Sequence, residues 1–114
     1  MSILKAIKDT IQGIPGSRSP KWQTVRKKFL AKNPTCALCD GKDVLEVHHI
    51  KPFHLHPELE LDEKNLIVLC ESKKNGISCH LAFGHLGKYE SYNETVKEDV
   101  IIWNNKLKNR PKGE

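Results

Sequence analysis

The sequence contains no long hydrophobic run. None of its apolar stretches approaches the roughly 18 to 20 residues needed to cross a bilayer. Its first residues, MSILKAIKDTIQ, mix charged and apolar side chains, unlike the apolar core of a signal peptide. These absences predict an intracellular, cytoplasmic protein that has no membrane partner.

Aromatic residues are also few. The 114 residues include 3 Phe, 2 Trp and 2 Tyr, and hydrophobic residues make up 38% of the chain. A chain of this length forms one domain, and burial alone would leave so small a core marginally stable. Metal binding would supply the missing stability.

Cysteine is limited to four residues. In an intracellular protein, four cysteines indicate metal or redox chemistry rather than disulfides. Cys36 and Cys39 form a CxxC turn that is typical of a zinc knuckle, and Cys70 and Cys79 would complete a tetrahedral four-sulfur site. A redox CxxC is the weaker alternative, because no βαβ pattern surrounds the pair.

Acidic residues are scarce at the start of the chain. Residues 1–35 carry eight Lys or Arg against one acid, whereas residues 36–85 carry five against eight, and the net charge is +5. This balance points to a polyanionic partner such as nucleic acid. Arg26, Lys27 and Lys28 are candidates for phosphate contacts, with an ordinary solvated helix face as the alternative.

The hydrophobic pattern predicts helices at both ends of the chain. Residues 2–12 have helical spacing, and residues 13–20 have the Gly and Pro content of a linker. The segment after Pro20 places Trp22, Val25, Phe29 and Leu30 on one helical face. A closing helix after Asn93, its predicted N-cap, carries a core-facing stripe of Val96, Val100, Trp103 and Leu107.

Two strands are predicted between these helices. The run VLEVHHI from Val44 and the run from Asn65 to Cys70 are typical of strands, and they form a candidate hairpin with a long loop. The segment CHLAFGH could then begin a helix that Gly84 and Gly87 shorten.

The histidines are the stronger functional signal. His48 and His49 end the first predicted strand, and His80 and His85 follow the last cysteine. Since successive strand residues point to opposite faces, one of His48 and His49 can bind a metal while the other faces a substrate. A neutral imidazole can take a proton from water, and a nearby cation stabilises the transition state of phosphodiester hydrolysis.

The segments LEVHHIKP, NLIVLC and CHLAFGH resemble the ββα-metal motif of the HNH endonucleases, also called His-Me finger nucleases, over roughly residues 20–93. The resemblance implies an α+β fold with a ββα-metal core, flanking helices and a structural zinc on Cys36, Cys39, Cys70 and Cys79. It also implies that His49 is the general base, that His48 and His80 bind the catalytic metal, and that Asn65 orders the loop and orients the base.

Two features depart from the family pattern. Eight residues, ESKKNGIS, separate Cys70 from Cys79, where a tight CxxC is usual, and His85 follows His80 by five residues instead of three or four. On a regular helix a five-residue step rotates about 140° beyond one turn. His85 therefore joins the metal only if the helix is loosened, for which Gly84 offers a means.

Other histidines have no place in the motif. His54 and His56 are expected on the surface of the loop between the strands. With His48 where many relatives have an aspartate, the predicted catalytic site is rich in nitrogen and suits Zn²⁺, Ni²⁺ or Mn²⁺ better than Mg²⁺.

The expected function is metal-dependent hydrolysis of DNA by an HNH endonuclease, with zinc as the structural ion and Mg²⁺, Mn²⁺, Ni²⁺ or Zn²⁺ as the catalytic ion. Expected boundaries are an N-terminal helix and linker at residues 1–19, the nuclease domain with its C-terminal helix at residues 20–110, and a tail at residues 111–114. The resemblance also implies DNA ends with a 5′-phosphate and a 3′-hydroxyl.

Two alternatives stay open on the sequence alone. A non-catalytic zinc module could bind nucleic acid or protein, although it would have no use for the free base that adjacent His48 and His49 provide. The chain could also be a subunit beside a phage DNA-packaging or restriction machine.

Overall fold

The computed structural model describes residues 18–72 and 78–109. In chain order its elements are helix α1 (Trp22–Lys32), strand β1 (Leu45–His49), two 3₁₀ turns (Pro57–Leu59 and Glu63–Asn65), strand β2 (Leu66–Cys70), a π-helical turn (His80–Gly84) and helix α2 (Val96–Lys108). The helix predicted at residues 2–12 and the tail at residues 111–114 lie outside the described part. None of the described helices is both long and apolar enough to span a membrane.

Strands β1 and β2 form an antiparallel two-stranded sheet. Leu45 pairs with Cys70, and His49 pairs with Leu66 at the other end of the ladder. The predicted hairpin with a long loop is therefore confirmed. Every residue of β2 is buried, because other elements pack on both faces of this strand.

The two faces of the sheet carry separate apolar clusters. On one face, Trp22 and Phe29 of α1 pack with Val47, Leu66 and Val68. On the other face, the cysteines pack with Ile67 and Leu69 and with Val96 and Val100 of α2. Because side chains alternate along a strand, His49 faces α1 while His48 faces the π-helical turn.

Helix α1 has the predicted amphipathic character. Its apolar residues Trp22 and Phe29 are buried, whereas Lys27 and Lys28 are exposed. The helix ends where the Asn33 side chain donates to the carbonyl oxygen of Phe29 at 3.0 Å, and Pro34 follows directly.

Helix α2 packs on the core with its first half. Val96 and Val100 are buried, whereas Trp103 is 46% exposed and Leu107 is 37% exposed. The expectation that the whole stripe packs on the core is therefore wrong, because the apolar cluster beneath α2 ends at Val100. Beyond it, the rings of Trp103 and Phe83 pack in an edge-to-face arrangement, with their centroids 5.9 Å apart.

The predicted N-cap of this helix is also displaced. Thr95 directly precedes α2 and makes no side-chain capping bond. The side-chain oxygen Oδ1 of Asn93 instead accepts a hydrogen bond from the Thr95 backbone amide at 3.0 Å, so Asn93 stabilises the turn that leads into the helix.

Candidate metal centre and active site

Three histidine side chains converge beside the sheet. His80 Nε2 lies 3.0 Å from His48 Nδ1 and 3.2 Å from His85 Nε2. One ring nitrogen from each residue lies within 4.8 Å of the others. A tetrahedral ion bound to nitrogens at 2.0–2.1 Å would place its ligands about 3.3 Å apart, so the spacing fits a divalent metal.

Hydrogen bonds behind two of the rings turn their other nitrogens inward. His80 Nδ1 donates to Glu71 Oε2 at 2.6 Å, and His85 Nδ1 donates to the carbonyl oxygen of Ser91 at 2.8 Å. Each neutral ring then carries its lone pair on Nε2, and the two lone pairs face each other. A cation between them would turn this repulsion into attraction, and outer hydrogen bonds of this kind commonly orient metal ligands.

His48 is the most deeply buried member of the cluster, with 3% of its surface exposed. Burial, with smaller contributions from His80 and His85, lowers the pKa of His48 to about 3, so the ring is a neutral ligand. Its Nε2 lies beside Gly84 and makes no hydrogen bond with any described residue. A Cβ at Gly84 would lie 3.0 Å from the His48 ring, so the glycine lets this ring reach the cluster.

The π-helical turn explains how His80 and His85, five residues apart, come to lie on the same side. A π-helix takes more residues for each revolution than an α-helix does, so His85 returns to the side of His80. The Gly87 amide closes the segment by donating to the Leu81 carbonyl oxygen at 2.9 Å. The turn ends at Gly84, which is where the sequence required the helix to loosen.

His49 lies on the opposite face of β1 but lines the same cleft as the histidine cluster. Its Nε2 donates to the carbonyl oxygen of Glu60 at 2.9 Å, so the neutral ring carries its lone pair on Nδ1. The ring also packs on Trp22, with centroids 4.5 Å apart. Burial, and to a lesser degree Arg18, hold the pKa of His49 below its usual value against the opposing effect of Glu60.

Asn65 closes the long loop between the strands. Its Oδ1 accepts the Lys51 amide at 2.8 Å, and its Nδ2 donates to the carbonyl oxygens of Lys51 at 3.1 Å and Leu59 at 3.4 Å. Leu59 directly precedes Glu60, whose carbonyl oxygen holds His49. The hydrogen bonds of Asn65 therefore join the two ends of this loop segment, next to the residue whose carbonyl oxygen contacts His49.

The four cysteine sulfurs form a second cluster. Cys39 Sγ lies 3.7 Å from Cys70 Sγ, and all four sulfurs lie within 4.8 Å of one another. Four sulfurs at about 2.3 Å from a tetrahedral zinc would be about 3.8 Å apart. The eight-residue insertion therefore does not separate Cys79 from the other three cysteines.

The thiols in this cluster influence one another strongly. A hydrogen bond from the Cys79 thiol lowers the pKa of Cys36 to about 5, whereas burial raises the pKa of Cys39 to about 11. The same contact with Cys36 raises the pKa of Cys79. One thiolate is thus stabilised by its neighbours, while several thiolates together require a cation.

The basic residues predicted to bind nucleic acid lie outside the cleft. Lys27 and Lys28 are exposed on α1 and Arg26 is half-buried there, and none of the three lines the cleft beside the histidines. Among the described residues, Arg18 is the one Lys or Arg of that lining.

Sequence patterns did not indicate Arg18, Glu60 or Glu71 as parts of the site. The Glu60 carboxylate is buried, accepts the Ser19 amide at 3.1 and 3.2 Å, and lies 3.7 Å from the Arg18 guanidinium. These partners are about 40 positions apart in the sequence, so no local pattern could reveal them. Arg18 also lies over the Phe53 ring, 4.7 Å from its centroid.

The two loop histidines stay apart from the cluster of three. His54 is exposed and His56 is half-buried, as expected from the sequence. His56 Nδ1 lies 3.5 Å from the Glu58 carboxylate, while His54 is one of the residues that line the cleft.

The fold and the site together define a small domain of helices and strands with two clusters that could each hold a metal. Residues 36–82 match the family model described as HNH endonuclease, so the resemblance to this family is confirmed over that part of the chain. The family indicates nuclease activity and a nucleic-acid substrate. The matched stretch contains the four cysteines, His48, His49, Asn65 and His80, and it ends before His85. A search of curated proteins and a search of solved structures each found no significant match.

Proposed function

We propose that the protein is a metal-dependent endonuclease that hydrolyses phosphodiester bonds in DNA, with its nuclease domain at residues 20–110. The observation that carries the proposal is the position of His49. Its ring shares a cleft with three convergent histidines but lies on the other face of β1, with Nδ1 left as the basic nitrogen. A base and a metal centre on either side of one cleft are what phosphodiester hydrolysis requires.

The proton is taken by His49. Its Nδ1 accepts a proton from the attacking water while Nε2 stays bonded to the Glu60 carbonyl oxygen. The water oxygen forms a bond to phosphorus as the bond from phosphorus to the 3′ oxygen breaks. The departing 3′ oxygen takes a proton from solvent, which leaves a 5′-phosphate and a 3′-hydroxyl. Trp22 and the loop that Asn65 orders keep the ring in place.

The histidine cluster would hold the catalytic cation through His48 Nδ1, His80 Nε2 and His85 Nε2. When bound there, a divalent ion supplies Lewis-acid stabilisation of the charge on the phosphate and on the departing oxygen. A site with three nitrogen ligands suits Zn²⁺, Ni²⁺ or Mn²⁺ better than Mg²⁺. The four cysteines would hold a separate structural zinc, since four thiolates leave no open position for a substrate.

The experiment that tests this function is the cleavage of supercoiled plasmid. Protein depleted of metal at the histidine site is supplied with Mg²⁺, Mn²⁺, Ni²⁺ or Zn²⁺ in turn. We expect metal-dependent cutting that falls about 10²- to 10⁴-fold in His49→Ala, because general-base catalysis contributes about that much.

His54→Ala is the matched control, since it removes an exposed histidine that lines the same cleft but lies outside the cluster of three. Circular dichroism and zinc content would show that both variants stay folded. Absence of cutting with all four ions, or equal cutting by wild type and His49→Ala, would reject the proposal.

A further inference from the structure

The cleft beside the histidines has a volume of about 410 Å³, and its lining is unusual in charge. Among the described residues that line it, the ionisable groups other than the histidines are the cation Arg18, the carboxylates of Glu46 and Glu90, and the phenols of Tyr89 and Tyr92. Proteins that bind duplex DNA through its backbone place several Lys or Arg against phosphates. Even with a divalent ion bound, the part of the lining that the structure describes offers few such contacts.

Within residues 18–72 and 78–109, aromatic rings outnumber Lys and Arg side chains in the lining of the cleft. Phe53 lies on the side of His49, together with Arg18 and Trp22. Tyr89 lies on the side of the histidine cluster, with its ring centroid 5.0 Å from that of His85 and 6.0 Å from that of His80. A strand that crosses the cleft between His49 and the metal ligands would therefore meet an aromatic ring on either side.

Tyr89 is exposed and yet held in place. Tyr89 is 56% exposed. Its hydroxyl donates a hydrogen bond to Glu71 Oε2 at 3.2 Å, and its ring packs beside the His85 ring. An aromatic ring that is fixed at one side and open at the other provides a surface on which a base can stack.

Phe53 is fixed in a similar way. Its ring is half-buried, and the Arg18 guanidinium lies 4.7 Å from the ring centroid. The cation over the ring would also attract the phosphate next to a stacked base, because the Arg18 group is half exposed.

We propose that the cleft binds a DNA strand whose bases are unpaired beside the scissile phosphate, with Tyr89 and Phe53 as the stacking surfaces. This inference rests on the proposed nuclease function and names the class of substrate. Stacking on aromatic side chains contributes about 1–3 kcal/mol per base and requires bases that are free of a partner strand. Single-stranded DNA and duplexes with an unpaired segment fit this chemistry better than intact duplexes do.

The test measures binding, so that it does not depend on cleavage. Fluorescence anisotropy gives the dissociation constants of metal-loaded His49→Ala for one labelled sequence as a single strand, as a duplex and as a duplex with a central unpaired bubble. We expect the single strand and the bubble to bind at least about 10-fold more tightly than the duplex, which corresponds to one stacked base.

Variants at position 89 in this background separate stacking from the Glu71 contact. Tyr89→Phe keeps the ring and loses the hydroxyl, whereas Tyr89→Ala loses both. We expect Tyr89→Ala to weaken single-strand binding about 5- to 150-fold relative to Tyr89→Phe, with little change for the duplex. Trp103→Ala, which removes an exposed ring outside the cleft, should leave all three constants unchanged.

Equal binding of duplex and single strand, or equal effects of Tyr89→Phe and Tyr89→Ala, would overturn the proposal. These outcomes are distinct from failure of the proposed function, which would appear as wild-type protein that cuts no DNA with any ion. A preference for unpaired DNA that depends on the Tyr89 ring would support the inference whether or not the wild-type protein cuts DNA.

Discussion

Glu71 holds His80 from behind the histidine cluster. The hydrogen bond from His80 is the main cause that lowers the pKa of the Glu71 carboxyl, so the group stays charged at neutral pH. A charged carboxylate behind an imidazole raises the basicity of the ring and fixes its orientation toward a metal. Glu71 is therefore a positioning residue for the cluster.

Replacing Glu71 by Gln removes the charge and keeps the shape of the side chain. We expect the affinity of the histidine site for Zn²⁺ or Ni²⁺ to fall about 10- to 100-fold, measured by calorimetric titration of protein whose cysteine site is already loaded. Glu90→Gln removes another carboxylate from the same cleft and serves as the control. Equal losses in the two variants would assign the effect to general electrostatics.

Of the cleft residues that the structure describes, Arg18 carries the one guanidinium or ammonium group that could contact a phosphate. Arg18→Ala should raise KM for DNA and make the dependence of log KM on log salt concentration shallower by about one, because one phosphate contact is lost. Adding Glu60→Gln removes the carboxylate that lies 3.7 Å from Arg18 and should not restore KM. Full recovery in the double variant would mean that Arg18 serves only to neutralise Glu60.

The local sequence predicts the strands and helix α1 but not the tertiary contacts of the site. Helix α1 follows from hydrophobic periodicity. Both strands follow from short apolar runs rich in β-branched residues, although every residue of β2 is buried. The separation of His48 and His49 onto two faces follows from the alternation of side chains along a strand. The partners of Glu60 and Glu71 could not be predicted, because each is brought close by the tertiary fold.

The π-helical turn was only half predictable. The five-residue step between His80 and His85 shows that a regular helix would keep the two rings apart, and Gly84 marks where it can loosen. The π geometry itself is accompanied by two contacts that the sequence does not reveal. The backbone amide of residue 87 donates to the Leu81 carbonyl oxygen at 2.9 Å, and the Asn93 side chain donates to the Phe83 carbonyl oxygen at 3.0 Å.

Gly84→Ala tests whether this turn must approach His48 closely. The added Cβ would lie 3.0 Å from the His48 ring, so the ring or the turn must shift at a cost of about 1–3 kcal/mol. We expect the unfolding free energy to fall by that amount and metal affinity at the histidine site to fall with it. Denaturant unfolding and calorimetric titration measure the two effects.

Gly87→Ala is the control for backbone strain. Gly87 has a φ of +89°, so alanine is strained there, but its Cβ would meet nothing within 4 Å. This variant should lose stability while keeping metal affinity. Loss of affinity in Gly87→Ala but not in Gly84→Ala would contradict the account of the close approach.

Across the whole domain, the two candidate metal clusters are joined by consecutive residues. Cys79 belongs to the cysteine cluster and His80 to the histidine cluster. The sulfurs also link the turn at Cys36 and Cys39 to the end of β2, in the middle of an apolar cluster. A zinc held there would connect most of the domain and fix the position of the catalytic ligands.

Removal of that zinc should unfold the domain. Structural zinc contributes about 10–16 kcal/mol in zinc-finger peptides, which is comparable with the 5–15 kcal/mol of net stability of a typical domain. We expect Cys36→Ser, or treatment with a strong chelator, to abolish the cooperative thermal transition seen by circular dichroism. An unchanged melting temperature after complete loss of zinc would show that the apolar clusters suffice.

The most direct test of the central claim is chemical rescue at His49. His49→Gly leaves a space beside Trp22 and the Glu60 carbonyl oxygen, and added imidazole can enter it. We predict that the variant loses most plasmid cleavage. Added imidazole should raise the cleavage rate of the variant at least about 10-fold, as expected when a general base is returned. Full activity of His49→Gly without imidazole would contradict the assignment of His49 as the base.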